Sequence, residues 1–388
     1  MRRPRPISAA LSLALAVGGG LVLGLHLRCG GGAGSPAPDS SAPAGPPPAP
    51  PAANCSPTAA ASTTVNVKDA PYGAKGDGVT DDTAAIQKAI NAIGGTGGTV
   101  AIPDGTYLID ALISLQLKSD MTLSLSSGAV LKAIPNGADN YTIVRVSGVS
   151  RVNILGGTLL GDRSAHTGTT GQQGMGLRIT GNASQIAVAG VTAKECWGDG
   201  FMVADAANVS LCHVTADHNR RQGLSITGGQ NVAVKDSTFK NSAGSIPEDG
   251  IDIEPNAGQT VSNVHITGCT LSGNAGDGIE DGVPGAYTGQ AFIRYVTIDG
   301  NLITGNGVNT LHAGPRSGIE CSNTSGHTFQ NNTIQNTVGY GIYLRDGATG
   351  ITVTGNTITN NSLNGILQYK ATNNTLTNNT LSGNGVPP

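Results

Sequence analysis

The chain is poor in the residues that ordinary globular domains use most for packing and solubility. Aromatic side chains make up 3% of its 388 residues, with a single tryptophan, and charged side chains 12%, about half the usual charged share. The formal net charge is −3 and the folded region holds no Lys/Arg run, so the basic footprint of a nucleic-acid-binding protein is missing. Six cysteines, at positions 29, 55, 196, 212, 269 and 321, include no CxxC pair and no clustered spacing with histidine, which argues against a zinc site. Their irregular spacing reads as buried free thiols rather than a disulfide framework. What the chain does have is glycine, 58 residues of it, the mark of something regular, turn-rich and aliphatic.

At the N-terminus Arg2, Arg3 and Arg5 precede an uncharged run from Ile7 to Leu25, the charged-then-apolar layout of an export signal. The run is also nearly long enough to remain as a membrane anchor, so residues 1–29 are expected to be a signal peptide or an N-terminal anchor. The protein is accordingly expected to be secreted or held in the cell envelope. Residues 30–63 are Gly, Ala, Ser and Pro, too little apolar surface to offset ordering entropy, and read as an extended linker. The folded domain is expected over 64–388.

Within it, glycine followed by aliphatic, any residue, aliphatic returns again and again: Gly176-Leu177-Arg178-Ile179, Gly200-Phe201-Met202-Val203, Gly223-Leu224-Ser225-Ile226, Gly250-Ile251-Asp252-Ile253, then at Gly278, Gly318, Gly341 and Gly365. Successive glycines are 24, 23, 27, 28, 40, 23 and 24 residues apart. A fixed period with alternating strands means a solenoid, and some 23 residues suffice for three short strands and three turns. An all-β, single-stranded parallel β-helix follows. Asn219, Asn274 and Asn361 lie four residues before their glycines and Asn336 five before, which predicts an amide ladder from rung to rung; Cys196 holds the same place before Gly200. The extra residues of the long coils, 242–246, 283–290 and 307–314, all flank one strand row, which is therefore the expected cleft.

With the aliphatics pointing inward, the residue two after each glycine faces outward. That row reads Arg178, Met202, Ser225, Asp252, Glu280, Glu320, Tyr343. Three acids on adjacent rungs, about 4.8 Å apart, repel one another unless something compensates. Asp199, Asp249 and Asp277 each precede a repeat glycine, Glu254 lies two beyond Asp252, and Arg220 and Arg221 enter between Asp199 and Asp249. A solvated acidic face is the plain alternative; concentration of scarce charge on a few rungs favours chemistry. Asp199, Asp249, Asp252, Glu280, Arg220 and Arg221 are the candidate catalytic residues. Arg178, Trp197, Gln222, Asp277, Glu320 and Tyr343 are the candidate substrate contacts, Trp197 by stacking on a sugar ring.

The stretch Tyr72-Gly73-Ala74-Lys75-Gly76-Asp77-Gly78-Val79-Thr80-Asp81-Asp82-Thr83 and the later Gly97-Gly98-Thr99-Val100-Ala101-Ile102-Pro103-Asp104-Gly105-Thr106-Tyr107 closely resemble the opening of the pectate lyase superfamily, of the pectate lyase 3, mannuronan epimerase and polygalacturonase-like kinds. The resemblance implies a right-handed β-helix acting on extracellular polysaccharide. Ile86, Ile90 and Ile93 form one apolar stripe, with Thr80, Asp81 and Asp82 as cap and first-turn residues, so a capping helix over the solenoid's open end is expected. Asp249-Gly250-Ile251-Asp252-Ile253-Glu254 looks like an epimerase motif in which only Asp252 matches. Trp197-Gly198-Asp199-Gly200 and Gln222-Gly223 resemble two polygalacturonase motifs, with Gln222 where that family has histidine.

Two chemistries suit these residues. A hydrolase needs one carboxylic acid and one carboxylate: Asp252 with Glu280 on adjacent rungs, or Asp199 with Asp249 two rungs apart. A lyase needs a uronate carboxylate neutralised, by Arg220, Arg221 or a calcium ion held by Asp252, Glu254 and Glu280, before a base removes a proton. Paired arginines tilt the expectation towards β-elimination on a uronate-containing polysaccharide. Polygalacturonase-type hydrolysis and a non-catalytic carbohydrate-binding or adhesion β-helix are the alternatives.

Overall fold

The computed structural model describes residues 48–49, 51, 53–57, 63–308 and 316–385. The expected signal or anchor and most of the expected linker lie outside these residues. From Thr64 onward the chain winds as a right-handed parallel β-helix. Among the described residues its three faces are parallel sheets of 12, 12 and 10 strands, each inner coil adding one strand to each face. Strands of two to eight residues alternate inward aliphatics with outward polar groups, and the inward rows fuse into one core running the length of the solenoid.

The glycine row explains why the register is tight. Gly223 N–H donates to Asp249 O (3.1 Å), Gly250 N–H to Asp277 O (3.0 Å) and Gly278 N–H to Ser317 O (3.0 Å). A Cβ on Gly250 would lie 2.6 Å from the carbonyl oxygen of Gly278, so only glycine lets successive backbones approach this closely. The predicted outer row is observed in full: Arg178 pairs with Met202, Met202 with Ser225, Ser225 with Asp252, Asp252 with Glu280, Glu280 with Glu320 and Glu320 with Tyr343.

Buried amides fix the turns. Asn274 donates to Asn306 Oδ1 (2.9 Å), and Asn361 accepts from Thr337 N–H (3.0 Å) and donates to Asn384 (2.9 Å). Asn336 is not in this ladder: it is exposed with φ 58°, and its neighbour Thr337 takes the buried place. A second ladder, through Asn301, Asn332, Asn356 and Asn379, runs along another turn.

The capping helix spans Thr83–Ile93 and buries Ile86, Ile90 and Ile93. Its first turn differs from expectation. Asp81, not Asp82, accepts the Thr83 N–H (3.0 Å), while Asp82 turns back to accept the N–H groups of Lys75 and Gly76 (2.6 and 2.9 Å). The cysteine reading also needs correcting. Cys196, Cys269 and Cys321 are buried free thiols, but Cys55 and Cys212 form a disulfide, so part of the expected tether is stapled to the solenoid flank. Nearby, Asn263 Nδ2 donates to the carbonyl of Ala49 (3.1 Å).

Asn332 illustrates the ladder's weight. It accepts from the backbone and side chain of Asn301 and donates to Ile298 O and Asn356. Asn332→Ala would strand several of these buried groups, and we expect a loss of about 3 kcal/mol from unsatisfied donors and acceptors, measurable by urea unfolding.

Candidate functional site

Two outward rows converge where the long coils meet. The residues preceding the repeat glycines, Asp199, Gln222, Asp249, Asp277 and Ser317, lie beside the row that carries Ser225, Asp252, Glu280 and Glu320. Asp199, Asp249 and Asp277 are fully buried and Asp252 is 1% exposed, whereas Glu254, Glu280 and Tyr343 are half-buried.

The contacts divide these carboxylates into two sets. Asp199 accepts from Ser225 Oγ (2.7 Å) and faces Arg221 Nε at 3.3 Å. Arg221 also lies 4.0 Å from Asp252, which accepts from Gln222 Nε2; Gln222 in turn receives Ser225 and Arg221. Glu320 is held by Arg345 at 2.5 Å and Arg316 lies 3.8 Å from Asp277. In contrast, Asp249 and Asp277 each give one oxygen to a backbone N–H, those of Asp277 and Ser317. Their other oxygens, and Asp252 Oδ1, are buried with no hydrogen-bond partner.

Burial, reinforced by Glu280, Asp277 and Asp252, pushes the Asp249 carboxyl well above the usual carboxylate range. Burial with Glu280 and Glu254 does the same to Asp252 against the opposing charge of Arg221, and burial with Glu320 and Glu280 to Asp277. Glu280, desolvated and facing Glu320 and Glu254, rises from 4.5 to about 7. Close carboxyls that cannot all ionise share protons, and such sites are where acid–base function concentrates.

The expected residues thus assemble around this cluster, with changes in role. Arg221 is committed to Asp199 and Asp252. Arg220 points elsewhere: its guanidinium lies 3.8 Å over the Trp197 ring and donates to Gly171 O and Trp197 O. Trp197 is stacked on His166 (4.0 Å between centroids) as well as capped by Arg220, so it is a packed turn tryptophan and not a free sugar platform. Gln222 is buried inside the network. Tyr343 packs on Tyr340 at 4.8 Å beside the cleft. The oxygens that come together are those of Asp249, Asp277 and Glu280, all within 4.8 Å of one another, rather than the trio Asp252, Glu254 and Glu280 expected for calcium.

Sequence reading missed Arg145, Arg316 and Arg345. Arg145 continues the outward row one rung before Arg178; its coil has Ile143 where later coils have glycine, but Val144-Arg145-Val146 shows the alternation. Neither Arg145 nor Arg178 has an ion-pair partner among the described residues, and the Nε of each is buried without a hydrogen bond. Burial and the charge of Arg145 pull the Arg178 pKa down.

The fold and the site together define a right-handed parallel β-helix with a carboxyl cluster floored by one sheet and flanked by long turns. The family profile described as rhamnogalacturonase A/epimerase, pectate lyase-like matches residues 64–309, and the chain belongs to that family; a right-handed β-helix profile matches 281–386. The chain is similar to the uncharacterized protein YclG of Bacillus subtilis, 25% identical over 78% of this chain and 60% of that protein. It is also similar to the exo-poly-alpha-D-galacturonosidase of Dickeya chrysanthemi, 29% identical over 58% of this chain and 39% of that one. It therefore spans less than two thirds of these relatives. In fold it resembles the A-module of the Azotobacter vinelandii mannuronan C-5 epimerase AlgE4, with TM-score 0.59, 21% identity, and 84% and 98% of the two chains covered.

Because the folded protein holds the Glu280 proton more tightly than the unfolded chain, the associated stability is complete below about pH 4.5 and lost as pH rises through about 7. Thermal melts of the wild type should show this decline, and Glu280→Gln should flatten it; parallel curves would show that Glu280 titrates normally.

Proposed function

We propose that the protein is an exported polysaccharide hydrolase that cleaves acidic chains, with Glu280 as proton donor and a neighbouring carboxylate as its partner. The observation that carries this is the half-buried Glu280 set among Asp249, Asp252 and Asp277, poised to hold a proton near neutrality. General acids work best when their pKa lies near the operating pH. Asp252 is the adjacent-rung partner. Once Glu280 is protonated, repulsion of Asp252 falls, and Arg221 and Gln222 favour its ionised form for attack or for activating water.

The arginines that pointed to β-elimination do not support it equally well in three dimensions. Arg221 is internally ion-paired and Arg220 is stacked on Trp197, which leaves neither free to neutralise a uronate at the cluster. Arg145 and Arg178 are outer-row cations with no ion pair among the described residues, Arg178 feeling only the more distant charge of Asp199; they lie three and more rungs from Asp252, about 14 Å at 4.8 Å per rung. Two stacked guanidiniums with no ion pair among the described residues suit an anionic group on a polymer lying along the row. Calcium, where it takes part, would be held by Asp249, Asp277 and Glu280, an all-oxygen set suited to a hard cation. Export is supported by the Cys55–Cys212 disulfide, since such bonds persist in oxidising compartments.

Purified full-length protein should be incubated with polygalacturonate, alginate, glucuronan and neutral glycans, with and without calcium, following new reducing ends and the ultraviolet absorbance of unsaturated sugars. Reducing ends without that absorbance are expected, reduced at least about 100-fold in Glu280→Gln. Unsaturated products would replace hydrolysis by elimination, and binding without any product would make this a carbohydrate-binding β-helix. In the double variant Arg145→Gln/Arg178→Gln, KM for the acidic substrate should rise about tenfold or more with kcat nearly kept, as loss of charge-assisted hydrogen bonds away from the reacting bond predicts.

A further inference from the structure

The inward row three residues after each repeat glycine is aliphatic along the solenoid: Ile179, Val203, Ile226 and Ile253, and again Leu344. Two successive rungs break it. Asp281 follows Ile253, and Cys321 stacks on Asp281; both are fully buried. His327, 1% exposed, reaches the same place from the next turn, with Nδ1 2.5 Å from Asp281 Oδ2. This cluster faces the core, on the opposite side of the sheet from the carboxyls of the cleft. We propose that Asp281, Cys321 and His327 form a buried site for one divalent transition metal of the zinc class.

The donor atoms of the three lie within 4.8 Å of one another, and their types, one carboxylate, one thiol and one imidazole, are those of zinc-type sites. The imidazole is already oriented. Thr324 Oγ1 donates its hydrogen to Ile293 O (3.1 Å), so at 2.9 Å from His327 Nε2 it accepts the ring N–H. That leaves Nδ1 as the atom facing Asp281 and Cys321, the arrangement in which a second hydrogen bond fixes a ligating tautomer. Asp281 Oδ1 is buried without any hydrogen-bond partner. A lone Asp–His ion pair leaves that oxygen unsatisfied in an apolar core, at a cost metal coordination removes. The thiol separates this site from the cleft trio, whose donors are all oxygen.

The full chain should be produced in medium supplemented with cobalt, which substitutes for zinc and reports thiolate ligation as a ligand-to-metal charge-transfer band in the near ultraviolet. The band is expected in the wild type and in Cys196→Ser, another buried free thiol, and should be lost in Cys321→Ser. X-ray absorption of the zinc-loaded wild type should show one sulfur in the metal's shell, a readout that does not depend on any variant folding. A wild-type protein with no thiolate band, or a zinc shell of nitrogen and oxygen alone, overturns the site, whichever metals the acidic cleft retains.

Discussion

Everything in this molecule depends on parallel stacking of one coil on the next at a single strand spacing. The constraint is steric as well as hydrogen-bonded. At the repeat glycines, successive backbones approach so closely that a Cβ on Gly223 would lie 2.5 Å from the carbonyl oxygen of Gly250. With that row fixed, a side chain's place along the solenoid follows from its distance to the nearest glycine. The rung spacing of about 4.8 Å then sets how closely like residues meet. Aliphatics so aligned make a core, and amides so aligned make ladders whose buried groups satisfy one another.

The same stacking forces charges together. Asp252, Glu280 and Glu320 occupy consecutive rungs, and Asp249 and Asp277 lie beside them in a desolvated layer. An ordinary protein surface would let such groups ionise into water. Here burial and mutual repulsion raise Asp249, Asp252 and Asp277 well above their usual range and Glu280 to about 7. Arginines divide the layer: Arg221 lies against Asp199 and Asp252, and Arg345 against Glu320. Protonated and ionised carboxyl groups side by side are what acid–base cleavage of a glycosidic bond requires. Further along the same row Arg145 and Arg178 stack with no ion pair among the described residues, so the outer face runs from cationic to acidic within a few rungs.

Much of this was legible in the primary structure because the period and the inward–outward alternation are local properties of the chain. The spacing of glycines from Gly176 to Gly365 placed Arg178, Asp252, Glu280, Glu320 and Tyr343 on one row, and the apolar stripe Ile86, Ile90, Ile93 located the capping helix. Local pattern could not tell which charged groups are engaged. Arg220 and Arg221 are neighbours in sequence, yet one stacks on Trp197 and the other bridges Asp199 and Asp252. Trp197 is likewise taken up by His166, 31 residues earlier.

By itself, then, the sequence determined the solenoid, its period and the membership of its rows, since steric and hydrophobic rules act over a few residues at a time. Only the tertiary structure decided which members meet across rows and turns. The Cys55–Cys212 disulfide joins residues 157 apart. Asp281, Cys321 and His327 converge from three separate segments, and Asp249, Asp277 and Glu280 close to within 4.8 Å. Those approaches depend on the cross-section of the coil and on which side chains are withdrawn from water, and neither is written in the spacing of residues along the chain.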